Sequence, residues 1–298
     1  MTEEKKGVLV TISAYILWGV LPIYWKTLDH IPAFEVLAYR IVWALVFMIA
    51  IIVMLRKQKD FLLSIRELWH NKKALIGITL AAFAISANWF LFIWAVNSGH
   101  VIQASLGYYI NPLISIMLGM LVMKETFTKP QWLSFLLAGI GVGYMTVNAG
   151  AFPWISIALA SSFAVYGLLK KQAAIPAIFG LTVETMIVTP LALLYLIPAA
   201  GAPGDGTWIH LNTLLILSTG AVTAIPLLLF TSGTKRIPLS MIGFLQYIAP
   251  TLMLLLGVFL YGEPFTHVHL IAFSFIWIGL FLYTSERFKQ MKHLKKAS

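Results

Sequence analysis

Arg40 and Glu184 are the two ionisable residues that fall deep inside long apolar segments of the chain. Their positions are equivalent. Arg40 follows the proline of Ile31-Pro32-Ala33 by eight residues, and Glu184 follows the proline of Ile175-Pro176-Ala177 by eight. The offset is 144 residues in both cases (184 less 40, 176 less 32). A charge at the centre of a bilayer costs roughly 2.5–3.5 kcal/mol on insertion scales, so such residues face a cavity or a partner. Arginine offers a carboxylate two parallel hydrogen bonds. A carboxylate in a low-dielectric site is poised to take up and release a proton. Two readings follow. In one, Arg40 receives an anionic group of a substrate, and Glu184 binds a proton or a substrate cation. In the other, the two only fix helix register, as one buried ion pair or through separate bonds to carbonyls and hydroxyls.

Neutral polar residues lie in the same zone. Asn88 and Trp89 share one apolar segment, Gln103, Tyr108, Tyr109 and Asn111 the next, and Gln246 and Tyr247 a later one. Amides in hydrocarbon need partners, so these face other helices or water. Pro112 and Pro250 closely follow two of the groups. Each removes a backbone donor and is expected to kink or interrupt its helix, which lipid tolerates only where protein or a water-filled cavity satisfies the freed carbonyl.

The elements that hold these residues are membrane spans. Of the 298 residues 60% are hydrophobic and 11% charged, against about 25% charged in soluble domains. Segments of roughly 20 apolar residues, the length of a helical span, occur at 7–25, 35–55, 74–97, 101–123, 130–148, 152–169, 177–197, 213–232, 238–260 and 266–285. No ten-residue alternation suggests a barrel, so the expected fold is all-α, with ten transmembrane helices. A short interfacial helix fits Phe61–Trp69, and the Pro- and Gly-bearing stretch 198–212 reads as an outside loop.

The net charge of +10 does not point to nucleic acid, because its distribution follows the membrane. With a cytoplasmic N-terminus, all Lys and Arg residues except Lys26 and Arg40 fall inside, Lys170 and Lys171 among them. That is the positive-inside bias, and it puts both termini in the cytoplasm. Trp25, Trp69, Trp132 and Trp154 near span ends read as interfacial belt residues.

The chain also repeats itself. Tyr109-Ile110-Asn111-Pro112 leads through Gly119 to Glu125-Thr126-Phe127-Thr128, and Tyr247-Ile248-Ala249-Pro250 leads through Gly257 to Glu263-Pro264-Phe265-Thr266. The offset is 138 residues throughout (247 less 109, 263 less 125), and Gly141 and Gly279 share it. The copies stand five spans apart. An odd shift inverts the second copy, and inverted repeats mark secondary transporters with a site where the repeats meet. The halves divide as 1–149 and 150–298. Capping of the next helix, or pairing with Lys124, accounts for Glu125. Gly119, Gly139, Gly141, Gly143, Gly257 and Gly279 read as close-packing positions.

Other chemistry has little support. No phosphate-binding loop appears, no cysteine is present, and His267 and His269 point different ways on a helix, so neither a cofactor nor a metal is expected. The most consistent function is a secondary-active transporter of a small organic metabolite or drug, working by alternating access. The alternatives are a passive channel or facilitator and, with no interaction domain to support it, a membrane receptor or assembly subunit. The partners expected are the small-molecule substrate, the lipid bilayer and protons. The oligomeric state is not readable.

The chain resembles the drug/metabolite transporter superfamily, and specifically its EamA-type repeats. The run Asn88-Trp89 through Trp94-Ala95-Val96-Asn97, then Ala104-Ser105-Leu106-Gly107-Tyr108-Tyr109-Ile110-Asn111-Pro112-Leu113, is similar to the RarD group. So are Trp18-Gly19-Val20-Leu21-Pro22-Ile23-Tyr24-Trp25-Lys26 and Arg40-Ile41-Val42-Trp43. The resemblance implies a bacterial cytoplasmic-membrane protein, proton-linked export and an association with chloramphenicol sensitivity.

Overall fold

The computed structural model describes residues 2–98, 100–150, 153–199, 211–262 and 265–297. All regular structure among them is α-helical. The helices are α1 (Glu3–Lys26), α2 (Ala33–Met54), α3 (Gln58–His70), α4 (Lys72–Asn97), α5 (Val101–Leu121), α6 (Lys129–Asn148), α7 (Trp154–Gln172), α8 (Ala177–Ala199), α9 (Leu211–Thr234), α10 (Leu239–Gln246), α11 (Ile248–Tyr261) and α12 (His267–Ala297). Most of the connection expected over 198–212, and Glu263, lie outside the described residues.

Among the described residues eight segments are long and apolar enough to cross a membrane: α1, α2, α4, α5, α8, α9, α10 with α11, and α12. The remaining two expected spans, α6 and α7, fall short on composition. Polar Lys129 and Gln131 and three glycines dilute α6, and serines and the terminal Lys170, Lys171 and Gln172 dilute α7. The short α3 is amphipathic. Leu62, Leu63 and Trp69 are exposed, whereas Phe61 and Leu68 pack with Ile52, Ile78 and Phe179.

The packing has two-fold character. α1 lies on α9 and α11, while their counterparts α7, α4 and α5 pack on one another in the same way. α6 crosses α12, α2 crosses α8 and α5 crosses α10, each pairing like with like. At the α6–α12 crossing a methyl on Gly141 would stand 2.6 Å from the Ala272 carbonyl, and one on Gly279 2.7 Å from the Ser134 carbonyl. Ala272 and Ser134 are themselves 138 residues apart (272 less 134). This exchange of contacts between equivalent residues is the signature of an isologous interface. The crossing explains Gly141 and Gly279 but not Gly139 or Gly143, which face open space rather than a neighbouring helix.

The two repeated prolines behave differently. Pro112 lies within the continuous α5. Pro250 sits in the first turn of α11, where no donor is needed, and the chain breaks just before it at Tyr247. The helix expected over 238–260 is thus two pieces. At the end of the repeated segment the copies agree again: Lys124 (φ 54°) and Gly262 (φ 68°) occupy the same repeat position in left-handed backbone, a common way of ending a helix.

Candidate functional site

A narrow cleft of about 10 Å³ lies between α2, α4, α8 and α9, so both halves of the chain build it. Its walls are mostly aliphatic, among them Ile41, Ala44, Ile85 and Leu181. The polar lining comes from Ser86, Trp89, Glu184 and Thr185. Apolar walls with a few convergent polar groups are the usual lining of a small-molecule site, and here they close to a space of roughly one water molecule.

Glu184 does not meet Arg40. Its Oε1 takes the Lys170 ammonium at 2.5 Å, and its Oε2 accepts the Tyr166 hydroxyl at 3.3 Å. Lys170 is 1% exposed and Glu184 2%, so this ion pair is cut off from solvent. The single Arg40–Glu184 pair, one branch of the register reading, is therefore ruled out. Lys170, counted from the sequence among the cytoplasmic-side charges, is thus buried at that end of its helix. Tyr166 and Lys170 are one helical turn apart, so they share a face of α7 and reach α8 together. Tyr166 also stacks on Phe230 at 6.0 Å, within a cluster with Tyr15, Trp18 and Phe163 that closes the α1 side.

Arg40 is held differently. Its Nε donates to Thr223 Oγ1 at 3.2 Å, and its guanidinium carbon lies 4.3 Å from the Trp89 ring centre and 5.0 Å from that of Trp25. The Trp25 ring thus also makes a cation–π contact beside the interfacial role expected of it. Among the described residues no carboxylate is within ion-pair distance of Arg40. Tyr108 is in electrostatic reach of it. Trp89 links the two parts of the site, since it lines the pocket and carries Arg40.

The other candidates lie elsewhere. Asn88 ties α4 to α7 by donating to the Leu159 carbonyl at 2.8 Å and to Ser162 Oγ at 3.0 Å. Tyr109, Asn111, Gln246 and Tyr247 gather at the α5–α10 crossing. There the Tyr247 hydroxyl donates to the carbonyl of Tyr109, its own repeat equivalent, at 3.3 Å. Asn111 accepts from Ser115 at 3.3 Å, and Gln246 Oε1 is buried with no hydrogen-bond partner among the described residues. The side chain of Gln103 lies outside the described residues. Lys170, Tyr166, Thr185, Ser86 and Thr223 are the site residues that sequence reasoning missed.

Beside the ion pair, at the same end of the molecule, Lys235 donates to the Ile175 carbonyl. Burial pushes its ammonium down to about 8, with the charge of Lys170 adding to the effect. Glu125 caps neither the next helix nor binds Lys124. Its two oxygens accept from Leu239 N at 2.6 Å and Ser240 N at 2.9 Å, at the start of α10.

A model of the EamA-like transporter family matches residues 5–147 and again 152–285. The chain is similar to the uncharacterized transporter YojE of Bacillus subtilis, with 45% identity over 99% of this chain and 98% of that protein. It is 41% identical to Protein RarD of Salmonella typhimurium, over 95% of this chain and 96% of that one. A solved structure titled only as a crystal structure of protein superposes with a TM-score of 0.72 over 93% of this chain and 97% of its own, at 20% identity. That likeness speaks for the fold alone.

Proposed function

The chain belongs to the EamA-like transporter family, in its RarD group, and from that premise we propose that it moves a small organic anion across the bacterial inner membrane by alternating access. In this reading ten helices span the bilayer as two inverted halves, 1–149 and 150–298, with both termini cytoplasmic. The pocket between them opens to one side and then the other.

The observation that carries the substrate class is a charge imbalance. Glu184 is already neutralised by Lys170, whereas Arg40 rests on two indole faces and one hydroxyl without a carboxylate among the described residues. An uncompensated guanidinium in a low-dielectric site attracts an anion, and its free donors suit a carboxylate. The tryptophan faces beside it favour a substrate with a flat apolar body. Flux runs outward, driven by proton exchange at Glu184.

Proteoliposomes loaded with a panel of aromatic and aliphatic monocarboxylates test this. The wild type releases at least one of them faster than empty vesicles do, Arg40→Ala abolishes that release, and the matching amides are not carried. Equal release by wild type and correctly inserted Arg40→Ala sinks the proposal.

The Lys170–Glu184 bond also favours a second reading. A carboxylate that owns an internal cation has no need of a proton, and the chain then works as an uncoupled facilitator. Accumulation beyond the substrate's own gradient under an imposed pH difference, lost in Glu184→Gln, separates the two.

A further inference from the structure

We propose that Glu125 is a latch that holds the basic end of the pocket shut by capping a half-helix of the opposite repeat. The inference rests on the transport reading, because it assigns a step in alternating access. Glu125 belongs to the connection after α5, in the first half; α10 belongs to the second. The first residue before α10 is Pro238, which offers no side-chain cap, and all eight residues of α10 are buried. Its leading N–H groups would be stranded without an acceptor. The Glu125 carboxylate takes two of them, at 2.6 and 2.9 Å, and a carboxylate at a helix N-terminus also meets the positive end of the helix dipole.

The space for this contact is provided by a residue of the duplicated motif. A methyl on Gly119 would lie 2.9 Å from Glu125 Oε2 and 3.1 Å from Ser240 N. Glycine there lets the carboxylate pass between α5 and α10. The surrounding bonds gather at the same turn. Lys171 donates to the Ile237 carbonyl at 2.6 Å, Lys235 to that of Ile175, and Arg236 Nε meets Glu3 at 3.1 Å. At the other end α1 is joined to the second half by the Tyr24 hydroxyl on the Leu215 carbonyl, at 2.6 Å, and by Lys26 over the Tyr261 ring. Of these bonds only Arg236–Glu3 joins the two halves beside the Glu125 cap, and Glu125 is the one that closes on a helix terminus. Opening that end separates the carboxylate from α10 and gives both to water. Glu125 acts through α10 and not on the substrate, so it is a positioning residue.

The chain has no cysteine, which makes the test direct. Ser86→Cys places one thiol on the pocket wall. In vesicles, its reaction with a membrane-impermeant maleimide is timed with the reagent added at the basic face. The parent Ser86→Cys protein reacts slowly there. Adding Glu125→Gln or Gly119→Ala accelerates labelling roughly tenfold, the shift expected for loss of one charged cap. Combining the two adds little, because both break one contact. Glu125→Asp keeps the charge and restores slow labelling. If Glu125→Gln and Gly119→Ala both label at the parent rate, the latch is wrong. If either labels fast from both faces, with a lowered melting temperature, the fold has been lost, and Glu125→Asp decides: slow labelling supports the latch and fast labelling overturns it. The measurement needs no substrate. Faster labelling without any carboxylate flux keeps the latch and removes the proposed substrate class. Flux with unchanged labelling does the reverse.

Discussion

Lys170 Nζ lies 2.5 Å from Glu184 Oε1, with both side chains shut off from solvent and Tyr166 on the other carboxylate oxygen. Such a pair is stabilising only while both members are present. Removing one leaves a buried charge without a partner, which costs about 3–5 kcal/mol, whereas replacing both with groups of similar size is often neutral. Lys170→Met and Glu184→Gln are each expected to lower the melting temperature of the purified protein. Lys170→Met with Glu184→Gln recovers most of the loss. Additive losses in the double variant would show that the two side chains do not depend on each other.

How much of this was legible follows from where each residue sits. Arg40 and Glu184 stood out because each interrupts an apolar run, and their shared offset from a proline marked the two halves. The partner of Glu184 did not stand out. Lys170 closes a span beside Lys171, where a lysine is ordinarily solvated, and the two diverge only in side-chain direction. Lys170 turns inward beneath Tyr166, while Lys171 reaches carbonyls of the α9–α10 turn. The contact of Trp25 with Arg40 was hidden for a related reason: a tryptophan near a span end fits the lipid interface, and only the fold brings the guanidinium to its ring. The break at Tyr247 was foreshadowed by Pro250, yet Pro112 predicted the same for α5 and no break occurs. One proline falls inside a first turn, the other within a helix that stays continuous around it. Local sequence does not contain that tertiary choice.

The four glycines of α6 and α12 divide by the same logic into two that matter and two that do not. A methyl on Gly141 meets the Ala272 backbone at 2.6 Å, and one on Gly279 of α12 meets the Ser134 backbone at 2.7 Å. Backbone cannot rotate away as a side chain can, so Gly141→Ala and Gly279→Ala must spread the α6–α12 pair. Gly139 and Gly143 have nothing within 4 Å of an added methyl. There alanine gains up to about 1 kcal/mol of helix propensity. Thermal melts in detergent should therefore fall for Gly141→Ala and Gly279→Ala and hold or rise for Gly139→Ala and Gly143→Ala. A uniform response at all four positions would mean that α6 and α12 do not cross at these glycines.

The last test concerns pH at the basic end. Lys235 follows α9, half-buried against the Ile175 carbonyl, and burial lowers its ammonium from the usual 10.5 to about 8. A lysine lowered in this way binds fewer protons in the folded state than in the unfolded one between pH 8 and 10.5. Stability rises with pH wherever the unfolded state holds more protons. The ammonium is therefore a burden below pH 8 that is relieved as pH climbs through 8 towards 10.5. Lys235→Met lacks this dependence, because nothing titrates at that position. The melting temperature of the wild type minus that of Lys235→Met should accordingly increase from pH 7 to pH 10. Because Lys235 is partly open to water, the gain is smaller than full burial would produce. A difference that stays flat or falls over that range would show that Lys235 is solvated in the folded protein, and that its bond to Ile175 does not hold this end of α8 in place.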